Sequence, residues 1–471
     1  MNKKSLYTAI LFLLFSLNTH AQEVPEKLAE ALQHALDSMQ QQLNSRGFSA
    51  ALVLPNDALW AGASGISSQS PGDSLRTDHI FAVASSSKTI TGACILQLQE
   101  EGLLSIDDSL HQWLPDFNNL NGNITIRQLL HHRSGVFDIL SHPTFFPIIN
   151  SSVVTIWEPE NALTSFLNPP DFQPGASWAY SNTNYILLGM IIEAATGNDY
   201  HEEIRNRFFE PLGMESISLM PFEAFTGEAA HLWLDLNGDG TLDDAHNFIT
   251  TYNSFFSVAW SAGSFWATPS DMASWIKAYH TAGILQDESI DAAHSTVPTT
   301  MPSGTRYGLG ITKRNFLGQE AFGHGGDVSY SAAVYYFPEK NIGMAVHCND
   351  ASLVSWQLDP VVRALLQTYI DCESVISSTS ENQSSYSLSI SPNPFMDHLN
   401  LSIESTSAQT IDLQIYDSLG KLIHQQKEVL IAGINNIPIA SFKAENGLYV
   451  YKISGENLET KSGTLIKVRT D

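Results

Sequence analysis

One stretch limits what this chain can fold into more than any other. From Ile90 through Ala93, Cys94, Ile95, Leu96 and Leu98 to a natural stop at Gly102, a helical segment carries apolar residues on every side. A helix without a polar face must lie inside a core, covered all round by other elements. Yet Lys88 stands near its start, with Ser85 three residues earlier. A buried ammonium is costly unless partnered or neutral, and a spacing of three puts both side chains on one helical face. A lysine whose pKa is lowered by burial can take the proton of a serine hydroxyl. The positive end of the helix then favours the oxyanion formed when a carbonyl is attacked. Ser85 and Lys88 are therefore expected to begin an acyl-transfer site.

Around this helix the pattern is mixed. Glu26 to Leu43 repeats Leu28, Leu32, Leu36, Met39 and Leu43 on one helical stripe. Phe48–Leu54 and Ala58–Gly62 read as a hairpin about Pro55-Asn56-Asp57. A second hairpin is expected over Tyr330–Phe337 and Ile342–His347, with Gly323-His324-Gly325-Gly326 ahead of it to allow close backbone approach by a ligand. Helix followed by strands and more helix predicts a mixed α/β domain. Tyr180 and Asn182 precede an apolar helix beginning near Tyr185; two apart in an extended loop, they can project together. His131 and His132, before Ser134-Gly135, read as loop anchors, since no second ligand cluster lies at zinc spacing.

A chain of 471 residues with 43% hydrophobic content has room for one large domain and a smaller one. Its net charge of −26 argues against nucleic acid or an anionic membrane as partner. Residues 1–21 carry Lys3 and Lys4, a short apolar run and Thr19-His20-Ala21, the pattern of a secretory signal cleaved after Ala21. No other stretch is a transmembrane candidate, so the mature protein is expected to be exported and soluble. Cys348 and Cys372 can form a bridge in an oxidising compartment or stay as thiols. Asp235, Asn237, Asp239, Thr241 and Asp243 offer oxygen ligands at alternate positions with Gly240 at the turn. This suits either a structural calcium loop, lacking the usual glutamate where His246 stands, or a solvated acidic turn. No cofactor is required for the expected chemistry.

Ser85-x-x-Lys88, Tyr180-Ser181-Asn182 and His324-Gly325-Gly326, in this order and spacing, resemble the serine β-lactamase-like family, in its class C β-lactamase, DD-peptidase and esterase branch. Ile124 to Leu130, Ser134-Gly135, Ala262-Gly263, Thr268-Pro-Ser-Asp271 and Tyr307-Gly-Leu-Gly310 support the resemblance, which runs from about Glu26 to Tyr369. It implies a β-lactamase/transpeptidase-like α/β (α+β) fold, an antiparallel sheet flanked by helices. It also implies that Ser85 forms an acyl-enzyme, that Lys88 and Tyr180 share proton transfer, and that Asn182 holds the substrate amide or Lys88. A cationic Lys88 would lower the Tyr180 pKa towards a phenolate. The N–H groups of Ser85 and Asp327 would form the oxyanion hole. His324, Gly325 and Gly326 stand where relatives carry Lys-Thr-Gly. Gly325 lacks the hydroxyl and His324 most of the charge that relatives use on a substrate carboxylate. Small esters, amides or peptides, of the D-amino-acid or DD-peptidase type, are thus the expected substrates, with β-lactams also in range. The alternative is a penicillin-binding or sensor protein of the same fold that does not turn over.

The serine-rich stretch 373–385 reads as a linker without periodicity. From Tyr386 on, short alternating strands such as Leu399–Ile403, Ile411–Tyr416 and Gly447–Ile453 predict a small β-sandwich. Ser391-Pro-Asn393-Pro394, Tyr416-Asp417-x-x-Gly420 and Lys467-Val468 resemble the C-terminal sorting domains of the type IX secretion system of Bacteroidota. The expected organisation is a signal at 1–21, a hydrolase domain at 22–372, the linker, and a sorting domain at 386–471. The type IX machinery is the implied partner, and the outer surface or the medium the implied destination.

Overall fold

The leucine stripe near the N-terminus forms helix α1, Glu26–Gln42, which buries Leu28, Leu32 and Leu36. It packs on the predicted hairpin, strands β1 (Gly47–Val53) and β2 (Leu59–Gly65). The computed structural model describes residues 23–69, 73–380, 388–391, 399–405, 407–417, 421–439, 447–455 and 458–467. The expected export signal at 1–21, residues 381–385 of the linker, and Pro392 to Pro394, Gly420 and Val468 of the tail motifs lie outside the described residues.

Eight antiparallel strands make one sheet, in the order β2, β1, Ile342–Cys348, Tyr330–Phe337, Gln319–Val328, Thr312–Phe316, Arg306–Tyr307 and Val297–Pro298. Strand side chains alternate between faces. Ala51 and Val53 of β1, with Ala345, Val334 and Tyr336, join one large core with the central helix and the helix Pro269–Thr281. Ala50, Leu52, Met344 and Val346, one step along, are buried on the opposite face. At one edge a proline sits in the two-residue strand Val297–Pro298. At the other, Gln33 of α1 donates its side-chain N–H to the β2 carbonyl of Ala63 at 3.0 Å.

The helix that must be covered is covered. Helix α2, Ser87–Glu100, buries every residue from Ser87 to Leu96, and Leu98. Gly102 follows in the left-handed region at φ +71°, which glycine adopts without strain. The chain enters α2 from β3, Phe81–Ala82, through a single 3-10 turn at Ala84–Ser86. Ala84 has φ +47°, a costly conformation for a side-chain-bearing residue, and it swings Ser85 from the strand to the head of the helix. β3 is held by Phe265–Ala267, itself paired with Ser218–Leu219.

The described residues divide into two compact units, one ending at Ile370 and the other beginning at Asp371. In the second, Leu388–Ser391, Leu399–Ser405 and Gly433–Ile439 form one sheet. Leu422–Leu430, Gln409–Asp417, Gly447–Gly455 and Leu458–Lys467 form another. Leu401, Ile403 and Ile437 from the first share a core with Ile411, Leu413, Ile415, Ile453 and Leu465 from the second, giving the expected sandwich.

Two readings change and one that was left open is decided. Gly323 to Gly326 stand ahead of Tyr330–Phe337 as expected but are themselves part of a strand, Gln319–Val328, and not of a loop. Residues 373–380, expected as linker, continue the helix Asp359–Ser380, whose apolar positions at Val361, Val362, Leu365 and Leu366 start it well upstream. Cys348 and Cys372 are free thiols. Cys348 is buried, its sulfur engaged with the Ser45 hydroxyl and the Asp350 N–H. Burial pushes its thiol up to about 12, away from the thiolate that disulfide exchange requires.

Candidate active site

Ser85 Oγ and Lys88 Nζ are 3.1 Å apart, on the shared face that their spacing predicts. Lys88 is fully buried, and its ammonium donates also to Asn182 Oδ1 at 2.9 Å and to the Ala262 carbonyl at 2.7 Å. Burial lowers its pKa to about 7, although the Asp138 carboxylate pulls the other way. Lys88 thus has a substantial neutral fraction at physiological pH.

Asn182 begins the helix Asn182–Thr196, and its Nδ2 donates to Asp138 Oδ2 at 3.0 Å. The amide thereby carries a connection from Asp138 to Lys88. Asp138 caps the 3-10 turn Ile139–Ser141, and burial raises its pKa. Nothing in its sequence context separates it from an ordinary capping aspartate, so sequence reasoning missed it.

Tyr180 is half-buried, and its enclosed hydroxyl oxygen lies beside Ser85 without a close, well-aligned hydrogen bond to any described residue. Lys88 Nζ lies 4.9 Å from its ring centre. The expected phenolate is not favoured, because burial pushes the Tyr180 phenol well above its ordinary value, against the influence of Ser85. Desolvation dominates here, and it lowers the Lys88 pKa at the same time.

His132 anchors its loop, as expected. Its Nδ1 accepts the Ser181 N–H and the Asn184 side-chain N–H, and its ring lies 4.3 Å from that of Tyr180. Burial keeps it neutral, well below its ordinary pKa. His132 therefore acts as a floor beneath Tyr180.

Across the cleft runs the strand Gln319–Val328. The neighbouring strand pairs with it only from Gln319 to Gly323, so its outer edge has no strand partner from His324 onward. A Cβ on Gly326 would lie 2.1 Å from the Val83 carbonyl oxygen and 3.1 Å from the Ser85 nitrogen. Only glycine lets this backbone come so close to the Ser85 amide. Ser86 Oγ donates to the His324 carbonyl at 3.1 Å and fastens the two sides together.

His324 is buried, with Nδ1 bonded to the Gly325 carbonyl and Nε2 accepting from Tyr307 Oη at 2.9 Å. Burial and the nearby Lys88 lower its pKa to about 3, so it presents no positive charge. A Cβ on Gly325 would meet Ser355 Oγ at 2.8 Å. Ser355 donates its N–H and its hydroxyl to the Asp327 carboxylate, the latter at 2.6 Å. Ser355 lies some 30 residues from the triplet, which is why no local motif revealed it. Ser85, Tyr180, Asn182, His324, Asp327 and Ser355 line an open cavity of about 550 Å³, with Trp178, Phe255, Met301 and Trp356 as apolar walls. Arg314, also in the wall, is tied to Asp359 by two hydrogen bonds.

The acidic loop lies in none of this. Asp235, Asn237 and Asp239 accept N–H groups of the loop's own backbone, and Asp243 accepts that of Leu236, between the short strands Trp233–Leu234 and Asp243–Asp244. Among the described residues, the group of three metal-ligand side chains that converges within 4.8 Å is Asp199, His201 and Glu202, on the surface, and not this loop.

Comparison with known proteins agrees with this geometry. The family described as Beta-lactamase matches residues 32–368, and the secretion system C-terminal sorting domain matches residues 389–467. Penicillin-binding protein 4* of Bacillus subtilis is 37% identical over 147 residues, 30% of each chain. Protein flp of Staphylococcus aureus is 27% identical over 289 residues, 57% of this chain and 52% of its own. The chain thus spans at most about half the length of these curated relatives. Among solved structures, a D-stereospecific amidohydrolase from Streptomyces sp. is 28% identical with a TM-score of 0.62, covering 71% of this chain and 98% of its own. The D-amino acid amidase of Ochrobactrum anthropi SV3 is 25% identical with a TM-score of 0.64, covering 74% and 99%. With Ser85, Lys88, Tyr180 and the Gly326 strand gathered at one cleft and the family matched over most of its length, the chain belongs to the beta-lactamase family and carries a C-terminal sorting domain.

Proposed function

We propose that the protein is an exported serine hydrolase that cleaves small amides or esters through a Ser85 acyl-enzyme. The observation that carries this reading is the 3.1 Å contact between Ser85 Oγ and a lysine whose pKa burial has lowered to about 7. Neutral Lys88 takes the Ser85 proton as Oγ attacks the carbonyl carbon. The tetrahedral oxyanion is met by the N–H groups of Ser85 and Asp327, brought together by Gly326. The leaving amine or alkoxide then takes a proton from Lys88, relayed through the protonated Tyr180 hydroxyl. Water enters by the same route in reverse and frees the acid product.

Amides and esters are favoured over β-lactams and carboxylate-bearing peptides for an electrostatic reason. Among the described residues of the cleft wall, His324 is neutral and Arg314 is paired, leaving no free cation to receive a substrate carboxylate. The amidohydrolase and amidase neighbours support the same side of the family. The sorting domain supports delivery by the type IX machinery to the cell surface or beyond. The test is intact-mass spectrometry after exposure to a fluorophosphonate, a β-lactam and p-nitrophenyl acetate, with nitrophenol release followed in parallel. Labelling that Ser85→Ala abolishes, with ester turnover and slow β-lactam hydrolysis, is the expected result. Rapid β-lactam turnover would restore a β-lactamase, and a stable adduct without turnover a penicillin-binding protein.

A further inference from the structure

The cleft that lacks a free cation holds an unpaired anion. Asp327 is exposed and lines the cavity beside Ser85 and Tyr180, and among the described residues it makes no ion pair. Its carboxylate accepts hydrogen bonds from the Ser331 hydroxyl at 3.2 Å and from the N–H and hydroxyl of Ser355. Its charge reaches the reacting centre, since it helps to raise the Tyr180 pKa. The Ser355 oxygen occupies the space that a side chain at position 325 would fill. With its proton given to Asp327, that oxygen presents lone pairs to the cleft. An uncompensated carboxylate flanked by a hydroxyl acceptor is complementary to an ammonium donor.

We propose that Asp327, with the Ser355 hydroxyl beside it, receives the ammonium group of the substrate, so that the enzyme selects amides and esters carrying a free amine. This deepens the hydrolase reading and rests on it. The competing role for Asp327 is to cap the 3-10 turn Ser355–Leu358. Capping needs an acceptor oxygen, which asparagine also supplies, whereas ammonium binding needs the charge. Asp327→Asn therefore separates the two roles, and the backbone N–H at 327 stays in place.

The test compares kcat/KM for D-alanine p-nitroanilide and N-acetyl-D-alanine p-nitroanilide, with p-nitrophenyl acetate as an amine-free report on Ser85. In the wild type, the free amine is expected to be preferred by about tenfold or more. In Asp327→Asn the preference should collapse towards unity, through KM, with the melting temperature retained. Equal use of both anilides, or a preference that survives Asp327→Asn, would overturn the inference. So would turnover of p-nitrophenyl acetate with neither anilide cleaved. Should Asp327→Asn fail to fold, inhibition of wild-type ester turnover is read instead; alaninamide no better than N-acetylalaninamide overturns it. Failure to form an acyl-enzyme with any of these would overturn the hydrolase reading itself, a different and distinguishable result.

Discussion

At the scale of single residues, the site depends on how burial affects the charge on Lys88. Its folded pKa, about 7, lies below the 10.5 of an exposed lysine. Between these values the unfolded chain binds more protons, so stability rises with pH from about 7 to about 10.5 and the penalty is full below 7. A Lys88→Met chain should lose that dependence, seen as melting temperatures that no longer climb across this window. The same pKa predicts an acid limb near pH 7 in kcat/KM for ester hydrolysis. Asp138 raises the Lys88 pKa, so Asp138→Asn should move the limb to lower pH; a limb that stays in place would remove Lys88 as the titrating base. Tyr180→Phe, which deletes the hydroxyl beside Ser85, should cost about 10²–10⁴ in kcat. The Ser85–Lys88 contact was legible because its spacing is local, and Tyr180 through its place two residues before Asn182 in a pattern that resembles the family. Asp138 and Ser355 were not, because each acts through a partner 44 or 28 residues away.

At the scale of elements, hydrophobic patterning disclosed α1, α2 and the two hairpins, half of the strands of the large sheet, because α1 has one buried stripe and α2 and the inner strands are buried almost throughout. The glycine-rich strand was harder to see. Gly323, Gly325 and Gly326 lower strand propensity, and the sheet overrides that preference because close approach to Ser85 demands it. Gly326→Ala should therefore displace the strand and slow acylation by about 10²-fold. Gly102→Ala is the control: its Cβ would meet nothing within 4 Å, but φ is +71°. It should cost about 1 kcal/mol of stability and leave the labelling rate unchanged. Equal effects of the two substitutions on labelling would show that the Gly326 contact does not position the nucleophile. The helix through 373–380 was missed because serines near its end hide a helix whose apolar positions lie further upstream.

At the scale of the whole molecule, each unit closes its own core, one around α2 and one between the two C-terminal sheets. A chain ending at residue 380 is therefore expected to fold and to be acylated at the wild-type rate, measured by fluorophosphonate labelling. Loss of labelling on truncation would mean that the catalytic unit needs the tail. The strong acidity, −26 overall, argues against nucleic-acid partners and says nothing of the fold. The large sheet also ends in a particular way on both sides. Pro298 has no N–H to offer at one edge, and Gln33 already occupies a carbonyl at the other. Each outermost strand thus offers a second copy fewer free ladder groups, which makes edge-to-edge extension of the eight strands harder at those two ends.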